Sequence, residues 1–124
     1  MKYSILLVFF IMHLDGFSQD FLDYEKPPVF FNCDSEIVSD LKKCFQDELS
    51  QFVSTNFIVP NSVHEDNYKG EVVVLFEVNA EGRFVVIYID AFYDELKDEV
   101  KRVFALLPNI KPATYNGITT FKQY

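Results

Sequence analysis

A chain of 124 residues, 49% hydrophobic and 17% aromatic, can bury one core and is too short for two. Its formal net charge of −8 argues against a sequence-independent grip on nucleic acid, which needs clustered Lys and Arg to displace counterions, and against adhesion to anionic lipid headgroups. The acidic residues are dispersed from Asp34 and Glu36 to Asp98 and Glu99, the pattern of a solvated surface.

The first 18 residues read as a secretory signal peptide. Lys2 opens it, Ile5 to Met12 form an apolar core, and Gly16 and Ser18 are small residues just before Gln19. That core is well short of the ~20 residues that cross a bilayer. An extended lead-in is expected over 19–35, where Pro27-Pro28 keeps the chain out of the helical region ahead of Val29-Phe30-Phe31, and a folded domain over 36–124. Cys33 and Cys44 are the only cysteines, and an exported chain with two most simply pairs them. A helix starting at Ser35 would carry Cys44 about 14 Å up its axis, beyond disulfide reach. The pairing therefore predicts that regular helix begins nearer Val38 to Asp40.

From Ser39 to Thr55, Leu41, Cys44, Phe45, Leu49, Phe52 and Val53 recur at helical spacing between charged residues, predicting one amphipathic helix. Asn56 to Pro60 ends it, and the polar stretch Asn61 to Lys69 reads as a loop. Gly70 to Asp90 reads as a β-hairpin that turns at Asn79-Ala80-Glu81-Gly82. In its first strand Val72, Val74, Phe76 and Val78 share the core face, leaving Val73 and Leu75 on the other. The second strand is apolar nearly throughout, so alternation assigns it no face. A second amphipathic helix is expected over Phe92 to Leu107, with acidic residues early and Lys101 and Arg102 late, closed by Pro108. After a turn at Tyr115-Asn116-Gly117, Ile118 to Tyr124 is β-prone. A right-handed crossover would lay this strand antiparallel to the first hairpin strand, at a sheet edge.

Chemistry-bearing constellations are sparse. Past the leader the only histidine is His64, and no thiol or second histidine joins it to make a metal site. No GxSxG or glycine-rich phosphate loop occurs, so neither a catalytic residue, a cofactor, a small-molecule substrate nor an enzymatic function is expected.

The ordered elements resemble the C-terminal domain of the TonB family. The residues that carry the resemblance are Cys44-Phe45-Gln46 opening an amphipathic helix, Asn56-Phe57 with Pro60, Gly70 before alternating Val72, Val74, Phe76 and Val78, the Asn79 to Gly82 turn, Leu107-Pro108, Lys111-Pro112 and Asn116-Gly117. Pro28-Val29-Phe30 and Cys33 match its small exported members, and the match runs from about Pro27 to Tyr124. The resemblance implies an α+β fold with two helices on one face of a small three-stranded antiparallel sheet. It implies a periplasmic module that binds an extended segment of an envelope protein, such as the TonB box of an outer-membrane transporter, by adding it as a strand. By position the accepting edge would be Ile118, Thr119, Thr120, Phe121, Lys122 and Gln123. The family pattern also places Phe84, Ile87 and Ile89 inward, an odd step that calls for a β-bulge near Val85-Val86. The alternative is a structural role, in which the uncovered sheet face with Val73 and Leu75 makes a homodimer or an envelope-assembly contact.

Overall fold

The computed structural model describes residues 24–124, so the expected signal peptide and the first residues of the lead-in lie outside the described residues. The fold is mixed α+β, with three helices and two small antiparallel sheets.

Its centre is the expected hairpin, β2 (Val73–Val78) and β3 (Phe84–Asp90). The turn is held from Asn79. Its carbonyl accepts the Gly82 N–H at 2.9 Å, and its side-chain Oδ1 accepts the N–H groups of Glu81 and Arg83 at 3.0 Å each. Gly82 takes φ +79°, and a Cβ there would lie 1.8 Å from the Ile110 carbonyl oxygen. Glycine is thus required twice, by its dihedral and by the close approach of the chain that follows the last helix.

Phe76, Val78 and Ile89 are buried on the inner face, with Val74, Phe84 and Val86 packed beside them. The second strand corrects the expected phase. Phe76 opposes Val86 and Leu75 opposes Tyr88, so Ile87 is the extra residue. A bulge exists, but it lies just beyond Val85-Val86, and Ile87 is 52% exposed instead of buried. Two opposed residues that both belong in the core, Phe76 and Val86, decide the register, and the surplus residue is pushed to the outer face.

Two helices cover the inner face. α1 (Val38–Asn56) buries Leu41 and Phe45, and after the short α2 (Asn61–Glu65) and the hairpin comes α3 (Asp94–Leu106), which buries Leu96, Val100, Val103 and Phe104. Phe45, Val100 and Phe104 join Phe76, Val78 and Ile89 in one cluster. α2 corrects the expected loop over Asn61 to Lys69. The Pro60 carbonyl accepts the N–H groups of Val63 and His64 at 3.1 Å, and burial of Val63 holds the turn down. α3 starts later than expected. Phe92 stands outside it, 78% exposed, because Tyr68, Phe92 and Tyr93 pack on one another with centroids 5.0–5.6 Å apart and Tyr93 donates to Asp66 at 2.7 Å. Asp94 and Glu95 then occupy the first turn, where the helix dipole favours negative charge.

The helices are tied at one end by Arg102. Its guanidinium donates to the Asn56 carbonyl at 2.7 Å, satisfying an orphan acceptor at the end of α1, and pairs with Glu99, which also accepts the Ile58 N–H at 2.9 Å. The Arg102 partner, with the Ile58 N–H, holds the Glu99 carboxyl below its ordinary value.

The expected single three-stranded sheet is instead two. Asn116 (φ 50°) and Gly117 (φ 82°) both adopt left-handed conformations and fold β4 (Ala113–Tyr115) onto β5 (Ile118–Thr120) as a two-residue hairpin. β1 (Glu25–Lys26) pairs with the other side of β4, giving the order β1-β4-β5. Only β6 (Lys122–Gln123) continues to the main sheet, whose order is β3-β2-β6. The expected continuous terminal strand is therefore divided at Phe121. The Asn-Gly turn pairs the first half with its own neighbour before the second half reaches β2.

The lead-in belongs to the core. Cys33 and Cys44 form a disulfide with Cα atoms 6.0 Å apart, and α1 begins at Val38, as that pairing requires. Val29 exchanges two 3.0 Å backbone hydrogen bonds with Lys111, and Phe30 packs against Phe45 and Phe84 at 5.6 and 5.9 Å.

Candidate functional site: the C-terminal strand edge

The hydrogen-bond phase of the last seven residues follows from their partners. Tyr115 and Ile118 flank a two-residue turn and so face each other through hydrogen bonds, as do Ala113 and Thr120. Thr119, opposite Thr114, then points its N–H and C=O away from β4. In β6, Tyr124 exchanges both backbone bonds with Phe76, at 2.9 and 3.1 Å. Alternation turns the backbone groups of Gln123 away from β2. Among the described residues no strand pairs with β5 or β6 on this side. Thr119 and Gln123 thus present unpaired donors and acceptors four residues apart, in the same two-residue phase.

Side chains around the edge anchor it from below. The Tyr124 ring stacks on Phe45 at 4.9 Å and on Phe76 at 5.2 Å, which fixes the last strand to α1 and β2 together. Partial burial among these rings raises the Tyr124 phenol to about 12. Lys122 donates to Glu25 at 2.6 Å, joining β6 to β1 across the gap between the sheets, and this hydrogen bond with its opposite charge lowers the Glu25 carboxyl. The ion pair separates two hollows beside the strand. One, of about 420 Å³, is bounded by Tyr115, Thr120, Phe121 and Gln123. The other, of about 200 Å³, has Phe45 and Tyr124 as its floor and Lys42 and Gln46 at its rim.

All six edge residues read from the sequence are thus found on the two terminal strands or on Phe121 between them. They do not form one ladder. Ile118, Thr119 and Thr120 border the small sheet, Lys122 and Gln123 border the main one, and the exposed Phe121 marks the change. Glu25 and Tyr124 belong to the same place and were missed. Two-residue alternation from Lys122 marks Tyr124 as inward-facing, but nothing local announces that Glu25, 97 residues away, closes on Lys122.

The opposite margin of the main sheet is less suited to a guest. β3 has seven residues, but the bulge at Ile87 puts the outward backbone groups on its two sides out of step.

No other constellation competes with the edge. Among the described residues no three His, Cys, Asp or Glu side chains come together as metal ligands. His64 lies exposed on α2. No helix among the described residues is long and apolar enough to cross a membrane. Comparison with known proteins gives no family model, no curated relative and no solved structure that matches this chain.

Proposed function

We propose that this protein is a non-enzymatic binding module of TonB C-terminal type, acting in the periplasm. It takes up an extended segment of an envelope or outer-membrane transport protein along Ile118, Thr119, Thr120, Phe121, Lys122 and Gln123. The observation that carries the reading is the unpaired, in-phase backbone of Thr119 and Gln123 on an edge that no other strand among the described residues covers. Strand addition draws its affinity from such main-chain groups and its selectivity from alternate side chains, for which the two hollows beside Lys122 provide room. The bulged β3 margin favours this edge over the other. The leader-like pattern of the first 18 residues, the Cys33–Cys44 disulfide and the resemblance to the TonB C-terminal domain support this location and class of partner.

The reading is tested with TonB-box-type peptides N-methylated at single positions. Methyl groups at every second residue, those whose N–H would meet Thr119 or Gln123, should abolish binding, and methyl groups at the alternate positions should leave it nearly unchanged. Equal tolerance at all positions would rule out strand addition.

A further inference from the structure

An antiparallel sheet with one face on a core ordinarily turns polar residues to water on the other. Here the outer face of the hairpin is apolar. Val73 and Leu75 of β2 and Val85, Ile87 and Tyr88 of β3 are each more than two-fifths exposed. Their pairing makes them contiguous: Leu75 opposes Tyr88, Val85 opposes Glu77, and Val73 opposes Asp90. The bulge enlarges this surface, because it turns Ile87 and Tyr88 outward in succession. The other face of the same sheet is already covered by α1 and α3, and no element among the described residues forms a layer over the outer face.

The border of the face identifies the occupant. Glu77 lies on it between Val85 and Gln123, Asp90 lies on it opposite Val73, and two-residue alternation places Glu71 on the same side. The one cation in the corresponding phase of β3 is Arg83, beside the turn and 4.0 Å from Glu81. A second copy of this chain, with formal charge −8, would bring these carboxylates against its own. We infer that the outer hairpin face docks a basic amphipathic helix of a partner protein, its apolar stripe on Leu75, Ile87 and Tyr88 and its flanking Lys or Arg against Glu71, Glu77 and Asp90. This interaction is independent of strand addition at Thr119 and Gln123. Gln123 lies at the boundary of both surfaces, so one partner can engage the two.

The test uses two synthetic helical peptides of about 18 residues with the same leucine stripe, one flanked by lysines and one by glutamates, titrated into isotopically labelled protein. The lysine peptide should bind saturably and shift the amides of Val73, Leu75, Val85, Ile87 and Tyr88. Affinity should fall at least about tenfold for the glutamate peptide, and weaken as salt screens the acidic border. Ile87→Asp, on an exposed side chain, should preserve the fold and abolish binding. Equal binding of both peptides, shifts confined to other surfaces, or no binding at all would overturn the proposal. So would a concentration-dependent dimer in sedimentation that Ile87→Asp dissociates, since a second copy would then be the occupant.

Discussion

Along the two margins of the hairpin sheet, similar backbone is exposed in different states of order. β3 is seven residues long, yet the surplus Ile87 breaks its repeat, so a regular guest strand matches only part of it. The terminal margin is shorter in each sheet, with three residues in β5 and two in β6, but Thr119 and Gln123 keep one phase. It is also fixed from beneath by the Tyr124 ring and from the side by the Lys122–Glu25 pair. Under the strand addition proposed here, length does not decide which edge receives a strand. Phase and anchoring do, and the longer edge carries the feature that protects against unwanted pairing.

The largest change to this contrast should come from breaking the disulfide. Cys33–Cys44 closes a loop over a sequence separation of 11 and holds the lead-in that supplies β1 and Phe30. Replacing both cysteines with Ala should cost about 3 kcal/mol in chemical denaturation. Amide exchange should quicken more in β4 and β5 than in β2 and β3, because β1 lies against β4 while the hairpin keeps its own ladder. Uniform quickening would mean that the terminal margin does not depend on the lead-in.

Removing the anchor is a more local change. Tyr124→Ala loses the stacks on Phe45 and Phe76 and should cost about 1–2 kcal/mol, read by thermal denaturation, while quickening exchange of the residue-124 and Phe76 amides, whose mutual backbone bonds hold β6 to β2. The intact phenol gives a second check. Burial favours its neutral form, so its stabilising contribution is complete below pH ~10 and is lost as pH rises toward about 12, where an ultraviolet titration should show Tyr124 ionising.

Deleting Ile87 tests the other margin. The shortened strand keeps Phe84, Val86 and Ile89 inward with a regular repeat, so stability should change by less than about 1 kcal/mol. The regular β3 edge should then self-associate, measurable by light scattering as a concentration-dependent increase in mass. A deletion variant that stays monomeric would show that the bulge does not protect this edge.

The smallest effect belongs to the surface ion pair. Glu25→Gln should cost well under 1 kcal/mol, since both groups are substantially exposed. The depressed Glu25 carboxyl contributes stability above the ordinary glutamate value that fades as pH falls through its lower folded value. Wild type and Glu25→Gln should therefore converge in denaturation midpoint at low pH.

Much of this arrangement was legible in local patterns. Three-to-four-residue spacing identified α1 and α3, alternation gave the faces of β2, and the pairing of Cys33 with Cys44 placed the start of α1 between Val38 and Asp40, where Val38 begins it. What was misread depended on long-range choice. The apolar run from Phe84 to Ile89 carries no polar residue to fix its phase, so only the pairing of Phe76 with Val86 sends Ile87 outward. The terminal run is β-prone throughout, and its division at Phe121 depends on two different partners, β4 and β2. The candidate edge was located by position within a family-like order of elements, whereas the backbone phase that makes it usable needed the register.

Amide hydrogen exchange on the oxidised protein, with and without a saturating TonB-box-type peptide, tests the central claim most directly. Strand addition predicts that Thr119 and Gln123, which exchange readily alone, become protected together while Phe84 and Val86 at the β3 margin are unaffected. Binding without protection at Thr119 and Gln123, or with protection along β3 instead, would contradict the account.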